Sequence, residues 1–260
     1  MGEFALTDLS PTGWILFAVA GVFTGIINTL AGSGSLITLP IFIFLCGLPA
    51  PIANGTNRIG VLIQSIVGVY SFQRSGKLEM KGAPWLLVPI VLGGILGAFV
   101  ATDLNEQAMN YTIGGLMIFM LFTLLLDTKR WIKESDVDVS RNKKPLSLLI
   151  FFAIGFYGGF IQAGVGIFLL AALVLVARYS LVAANGIKLL VVLVITIPAL
   201  AIFIRYGQVH FIFGLMMAFF QAIGAVIGVR VIAKIPNANV WIHRLLIVIV
   251  IASAVKFFVR

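Results

Sequence analysis

Residues 13–46, 52–73, 84–101, 109–126, 146–177, 183–204, 211–232 and 240–258 are apolar almost throughout. No other feature limits the fold as strongly. A chain of 260 residues that is 61% hydrophobic and 10% charged lacks the charge to cover a water-facing surface, so the apolar runs belong in a lipid bilayer. The strands of a membrane barrel would alternate apolar and polar residues in short segments. These runs are continuous instead, which points to helices that satisfy their own backbone groups in lipid. Trp14, Trp85, Trp131 and Trp241 fall at segment ends, the depth that indole rings favour.

The net charge of +9 sits mainly in the polar stretches between runs, as membrane topology rules expect, and so gives no reason to expect nucleic acid as a partner. Cys46 is the one cysteine. It excludes an intrachain disulfide and a multi-cysteine metal centre, and no metal or cofactor is expected. The first ten residues carry Glu3 and Asp8 rather than a basic stretch, so no cleavable signal peptide is expected.

Two runs have an awkward length. Residues 13–46 and 146–177 are too long for one crossing of a hydrocarbon core about 30 Å thick. As single helices they would reach roughly 50 Å, yet two full crossings need about 40 residues and a turn. A broken, re-entrant hairpin fits, with turns at Gly32, Ser33 and Gly34 and at Gly164, Val165 and Gly166. Each of these runs opens one half of the chain, and the halves echo each other. Ala53, Asn54 and Gly55 match Ala184, Asn185 and Gly186, while Gly93 and Gly97 match Gly224 and Gly228. Nearer the start, Gly21 and Gly25 match Gly155 and Gly159, and Asn28 meets Gln162.

The expected fold is therefore an all-α integral membrane protein of two structural repeats. Repeat one spans residues 13–126, a cytoplasmic linker 127–145, and repeat two 146–258. Each repeat is a broken hairpin followed by three transmembrane helices. That unit crosses the membrane an odd number of times, so the second repeat is inverted. Of the 18 Lys and Arg residues, 12 then lie in or beside inside loops and 3 outside, in line with the positive-inside tendency. Eight single crossings would give nearly the same bias, so charge alone does not choose.

Irregular backbone at membrane depth is tolerated where it lines a cavity, and transporters place broken helices there. Candidate substrate-binding groups are the N–H donors and hydroxyls of Ser33, Gly34 and Ser35 and the N–H groups around Gly164 and Gly166. Asn28, Asn54, Asn57 and Gln162 add neutral polar lining. Arg58 and Lys188 are the charges set deepest in apolar runs, either to attract an anion or to reach the nearer interface. Gly21, Gly25, Gly93 and Gly97 are read as helix-packing positions. All nine acids lie in loops or tails, so no buried carboxylate is available to hold a cation. A small anion is the expected substrate, and the bilayer the expected surroundings. A homodimer is one assembly open to such a chain. The residues 31–34, Ala-Gly-Ser-Gly, faintly resemble the nucleophile loop of intramembrane serine proteases, but neither His210 nor His243 is placed as a base, so an enzyme is not expected.

The motifs "GVFTGIINTLAGSGSLITLPIFIFLCGLPAPIANGTNRIG", "GVYSFQRSGKLEMK" and "GGILGAF", with the later "GFYGGFIQAGVG", "AANGIK" and "GAVIGVR", resemble the sulfite exporter family TauE/SafE over about residues 13–258. The resemblance implies a multi-pass transporter of the cell's inner (plasma) membrane. It would export small sulfur-containing anions such as sulfite, sulfoacetate or related organosulfonates. An anion channel-like pore, or a permease for another small anion, is the alternative.

Overall fold

The computed structural model describes residues 9–74, 76, 84–125, 145–230 and 238–258. The linker expected at 127–145 lies outside these residues except for Pro145, where a helix begins. Among the described residues every regular element is helical.

Helix α1 (Pro11–Ala31) starts where Ser10 accepts a hydrogen bond from the Gly13 N–H and Pro11 supplies a pre-set φ. It ends at Gly32, which takes φ 73° and returns its N–H to the carbonyls of Asn28 and Ile27. A residue with a Cβ disfavours that left-handed turn, so glycine stops the helix here. After Ser33 and Gly34 the chain restarts as α2 (Ser35–Pro40), which runs into a π-helical turn over Ile41–Leu45. Pro40 removes a backbone donor within this helix, a recognised cause of local loosening. Helix α3 (Ala50–Arg74) follows, then α4 (Pro84–Thr102) and α5 (Glu106–Leu125).

The second half opens with α6 (Pro145–Phe160), breaks over residues 161–164 and resumes as α7 (Val165–Leu175). Both overlong runs are thus interrupted, as their lengths require. The second turn comes earlier than the glycine pattern indicates. Gly164 takes φ 74° as the last residue before α7, so Val165 and Gly166 already belong to the helix. Helix α8 (Leu181–Arg205), with Ser180 capping the Ala183 N–H, precedes α9 (Phe211–Arg230) and α10 (Ala238–Phe258).

Among the described residues, five helices have the length and apolarity to cross a bilayer, the spans being Pro11–Leu30, Trp85–Thr102, Glu106–Leu125, Val182–Arg205 and Phe211–Gly228. Helix α3 is also long enough at 25 residues. It falls outside that set because Asn54, Thr56, Asn57, Arg58, Gln64 and Ser65 lie along it, all buried inside the protein. Large apolar side chains such as Phe119, Phe122, Leu149 and Phe219 are exposed instead, the inverse of a soluble protein and suited to lipid.

Helix α1 packs on α9, α6 on α4, α3 on both α8 and α9, α4 on α8, and α5 on α10. Small residues set the spacing. A Cβ on Gly25 would strike the Gln221 carbonyl of α9, and one on Gly93 the Phe152 carbonyl of α6. Gly21, Gly25, Gly93 and Gly97 therefore serve close helix approach.

Candidate functional site

The two breaks meet. The Gly166 N–H donates to the Gly32 carbonyl at 3.1 Å, and a Cβ on Gly32 would lie 2.6 Å from the Gly166 Cα. This backbone-to-backbone contact joins the first turn of α7 to the end of α1. The Gly166 N–H, expected as a free donor for an anion, is occupied by the protein itself in this conformation.

Polar side chains of α3 organise the first break. Asn57 donates from Nδ2 to Ser35 Oγ at 2.9 Å and accepts from Thr38 Oγ1 at 2.6 Å, which fixes one face of α2. Asn28 accepts from the Gly34 N–H at 3.3 Å and donates to Gln64 Oε1 at 3.0 Å. Gln64 in turn donates to the Gly25 carbonyl and to Thr29 Oγ1. Ser33 is fully buried and its hydroxyl has no hydrogen-bond partner. No base holds it, so it lacks the activation a serine nucleophile needs.

Neither deep cation snorkels, and each binds backbone carbonyls of the other half. Arg58 is 0% exposed and Lys188 1%, so neither reaches an interface. The Arg58 guanidinium donates to the carbonyls of Gly158 at 3.3 Å, Gly159, and Phe160 at 3.4 Å, and lies 4.4 Å from the centre of the Phe203 ring. Those carbonyls form the last turn of α6. Lys188 donates to the Thr29 carbonyl at 3.5 Å, in the last turn of α1, and to Asn185 Oδ1 at 2.9 Å. Each cation therefore sits at the carbonyl end of a broken helix from the other half. Such an end carries about half a negative charge, which offsets part of the desolvation that buried ions suffer. Asn54 reinforces the first of these ends by donating to the Phe160 carbonyl at 2.8 Å.

A narrow, nearly closed cavity of about 10 Å³, room for roughly one water molecule, lies where the breaks meet. Its polar lining comprises Asn28, Ser35, Ser65, Gln162 and Lys188, with Gly32 and Gly166 beside them. Of the residues expected at the site, Asn28, Ser35, Gln162, Gly166 and Lys188 are thus brought to one place. Arg58 and Asn54 lie at the α6 end, Asn57 supports α2 through Ser35 and Thr38, and Gly34 bonds Asn28. Gly164 faces Met120 of α5. Gln64, Ser65, Thr29 and Thr196 were not among the expected residues. Asn54, Asn57, Val61, Gln64, Ser65 and Gly68 follow a three- or four-residue spacing on α3, the periodicity that marks one helix face. A larger, open cleft at the start of α5 holds Phe44, Glu106, Asn110, Tyr111 and Phe257; its carboxylate makes it a poor place for an anion. Among the described residues no group of three His, Cys, Asp or Glu residues could hold a metal.

Apolar helices around a small buried polar cavity mark a multi-pass membrane protein. The chain belongs to the family described as "Sulfite exporter TauE/SafE", whose model matches residues 17–257, and so to a family of membrane transporters. It is 28% identical over 240 residues to "Probable membrane transporter protein ORF9" of Sinorhizobium sp., covering 92% of this chain and 89% of that one. It is 26% identical to the "Probable membrane transporter protein" of Haemophilus influenzae, with 84% of each chain covered. The "Probable membrane transporter protein YfcA" of Escherichia coli K12 is also 26% identical, over 84% of this chain and 80% of its own. No solved structure matches the chain.

Proposed function

We propose that the protein exports a small sulfur-containing anion across the inner membrane through the cavity at the meeting of the breaks. The observation that carries this reading is Lys188, the one charged residue among the described residues that line that cavity. Neutral hydroxyl and amide groups surround it, and no carboxylate lines the cavity. That set suits an anion and excludes a cation. An inside-negative potential supplies about 2.3 kcal/mol per charge per 100 mV, enough to drive an anion outward without a coupling ion.

We further read the two halves as inverted repeats that rock against each other around the fixed site. The packing supports the pairing of the halves as repeats, because exchanging them maps one set of contacts onto the other, and the odd number of crossings in each half supports their inversion. Helix α1 on α9 becomes α6 on α4, and α3 on α9 becomes α8 on α4. Arg58 at the end of α6 corresponds to Lys188 at the end of α1. The contacts relate Gly25 to Gly155, since each meets the carbonyl of a matched residue, Gln221 or Ile90. That register differs by one helical turn from the match of Gly25 with Gly159 that the sequence alone offers.

Reconstituted protein loaded with sulfite should release the anion when an inside-negative potential is imposed. Lys188→Ala should slow release about 10- to 100-fold, the loss of one charge-assisted hydrogen bond. Unchanged release by this variant would remove Lys188 from the site.

A further inference from the structure

We propose that the cavity, when the breaks part to widen it, accepts a monoanion that carries its own hydrogen-bond donor, such as hydrogensulfite or a hydroxy- or amino-substituted sulfonate, and rejects dianions such as sulfate. The inference rests on the transport reading above and specifies its substrate by charge and by hydrogen bonding.

The charge argument comes first. Asn28 faces the cavity from α1, Ser35 from α2, and Val61 and Ser65 from α3. Gln162 faces it from the second break, Val165 and Gly166 from α7, and Lys188, Leu189 and Val192 from α8. Lys188 alone in this set has an ionisable side chain. Arg58 is buried close by on α3, but its guanidinium serves the α6 carbonyls and does not line the cavity. The carbonyl end of α1 and the amino end of α7 each carry about half a charge, of opposite sign, and roughly cancel. The site therefore neutralises one negative charge. A second would be left unpaired away from water, the arrangement that buried ions avoid.

The hydrogen-bond argument is independent. Gln162 lines the cavity, and its Oε1 is buried with no partner. Its orientation is settled by Thr196, whose hydroxyl donates to the Val192 carbonyl at 2.6 Å. Having given its proton there, Thr196 Oγ1 accepts, and it takes Gln162 Nε2 at 2.6 Å. The group left over is thus the acceptor Oε1. A fully deprotonated oxyanion presents only acceptors to it and repels it. An anion bearing O–H or N–H binds Lys188 with one oxygen and donates to Gln162 Oε1 with the other group. No lining carboxylate relays a proton, so hydrogensulfite would leave with its proton attached, moving one proton and one negative charge per turnover.

The test uses the purified full chain in liposomes, with protein-free liposomes subtracted because uncharged sulfur dioxide crosses lipid unaided. Potential-driven efflux is measured from mildly acidic to mildly alkaline pH for four anions. Sulfite changes from hydrogensulfite to the dianion over this range. Isethionate is a monoanion with a hydroxyl donor throughout, methanesulfonate a monoanion without a donor, and sulfate a dianion throughout. Sulfite efflux should fall in step with the hydrogensulfite fraction while isethionate efflux stays level. Isethionate should exceed methanesulfonate by about tenfold, the scale of one hydrogen bond in a charged site, and sulfate should stay at background. Gln162→Leu should bring isethionate down to the methanesulfonate rate, which itself reports that the variant is folded. Sulfite efflux that holds level or rises with pH, or sulfate efflux equal to isethionate, overturns the inference. So does an unchanged isethionate preference in Gln162→Leu, which would mean that water alone meets Oε1. If none of the four anions moves, the transport reading itself has failed.

Discussion

Arg58 and Lys188 occupy equivalent places at the ends of the two broken helices, yet they are held differently. Arg58 reaches three carbonyls of α6 and packs on the Phe203 ring. Its Nη1 and Nη2 are committed to those carbonyls, its Nε is buried without a partner, and it does not line the cavity. Lys188 makes one long contact to α1, at 3.5 Å, and one firm bond to Asn185. Its ammonium has three donors, so at least one remains for the cavity it lines. On the proposed reading the two cations divide their labour, Arg58 as a fixed joint between the halves and Lys188 as the charge that keeps a donor for the anion.

The most direct way to break this comparison is to remove each cation and compare stability. Arg58→Ala removes the guanidinium from the carbonyls of Gly158 and Gly159, while Phe160 keeps Asn54 as its donor. At about 2–3 kcal/mol for such charge-assisted bonds, the apparent melting temperature in detergent should drop by about 5–10 °C. Lys188→Ala should lower it by less than about half that amount while abolishing most of the flux. Arg58→Lys should recover part of the loss, because an ammonium meets one or two of the carbonyls but lacks the fork. Equal melting shifts for the two alanine variants would show that the cations are structurally interchangeable and would end the distinction.

A smaller, sharper intervention separates the two ends from each other. In Gly166→Ala the new Cβ would lie 2.6 Å from the Gly32 carbonyl oxygen, and the facing atoms are backbone. The breaks would have to part by several tenths of an ångström, stretching the Gly166 to Gly32 hydrogen bond. Flux should fall about tenfold or more while melting shifts by only about 2–4 °C, close to the effect of one hydrogen bond. Full flux in this variant would show that the meeting of the breaks is packing without function.

Much of this was legible in residues 13–46 and 146–177. Their excess length demanded an interruption, and the first came at Gly32, Ser33 and Gly34 as the glycines indicated. The second came early because α6 stops at Phe160, where Arg58 and Asn54 take its last carbonyls. That stop depends on side chains about a hundred positions away, which glycine spacing cannot reveal. The same blindness hid the purpose of Arg58. A charge in an apolar run announces a partner, but the partner here is the end of a helix, and helix ends are not residues that a motif contains. The cavity lining was half visible. Asn28, Ser35, Gln162 and Lys188 stood out against apolar neighbours, whereas Ser65 and Thr196 gained meaning only from the helix faces on which they fall.

The finest test concerns Asn54, the other donor at the α6 end. It gives Nδ2 to the Phe160 carbonyl at 2.8 Å, and its Oδ1 is buried without a partner. Asn54→Ala removes both atoms together. The lost bond costs about 1 kcal/mol, while the removal of an unpaired buried acceptor returns a similar amount. Phe160 also keeps a donor, because Arg58 Nη2 stands 3.4 Å from its carbonyl. Melting should therefore shift by less than about 2–3 °C, well below the Arg58→Ala change. A shift as large as that of Arg58→Ala would mean that the neutral amide, and not the guanidinium, anchors α6, and the fixed joint would have to be reassigned to Asn54.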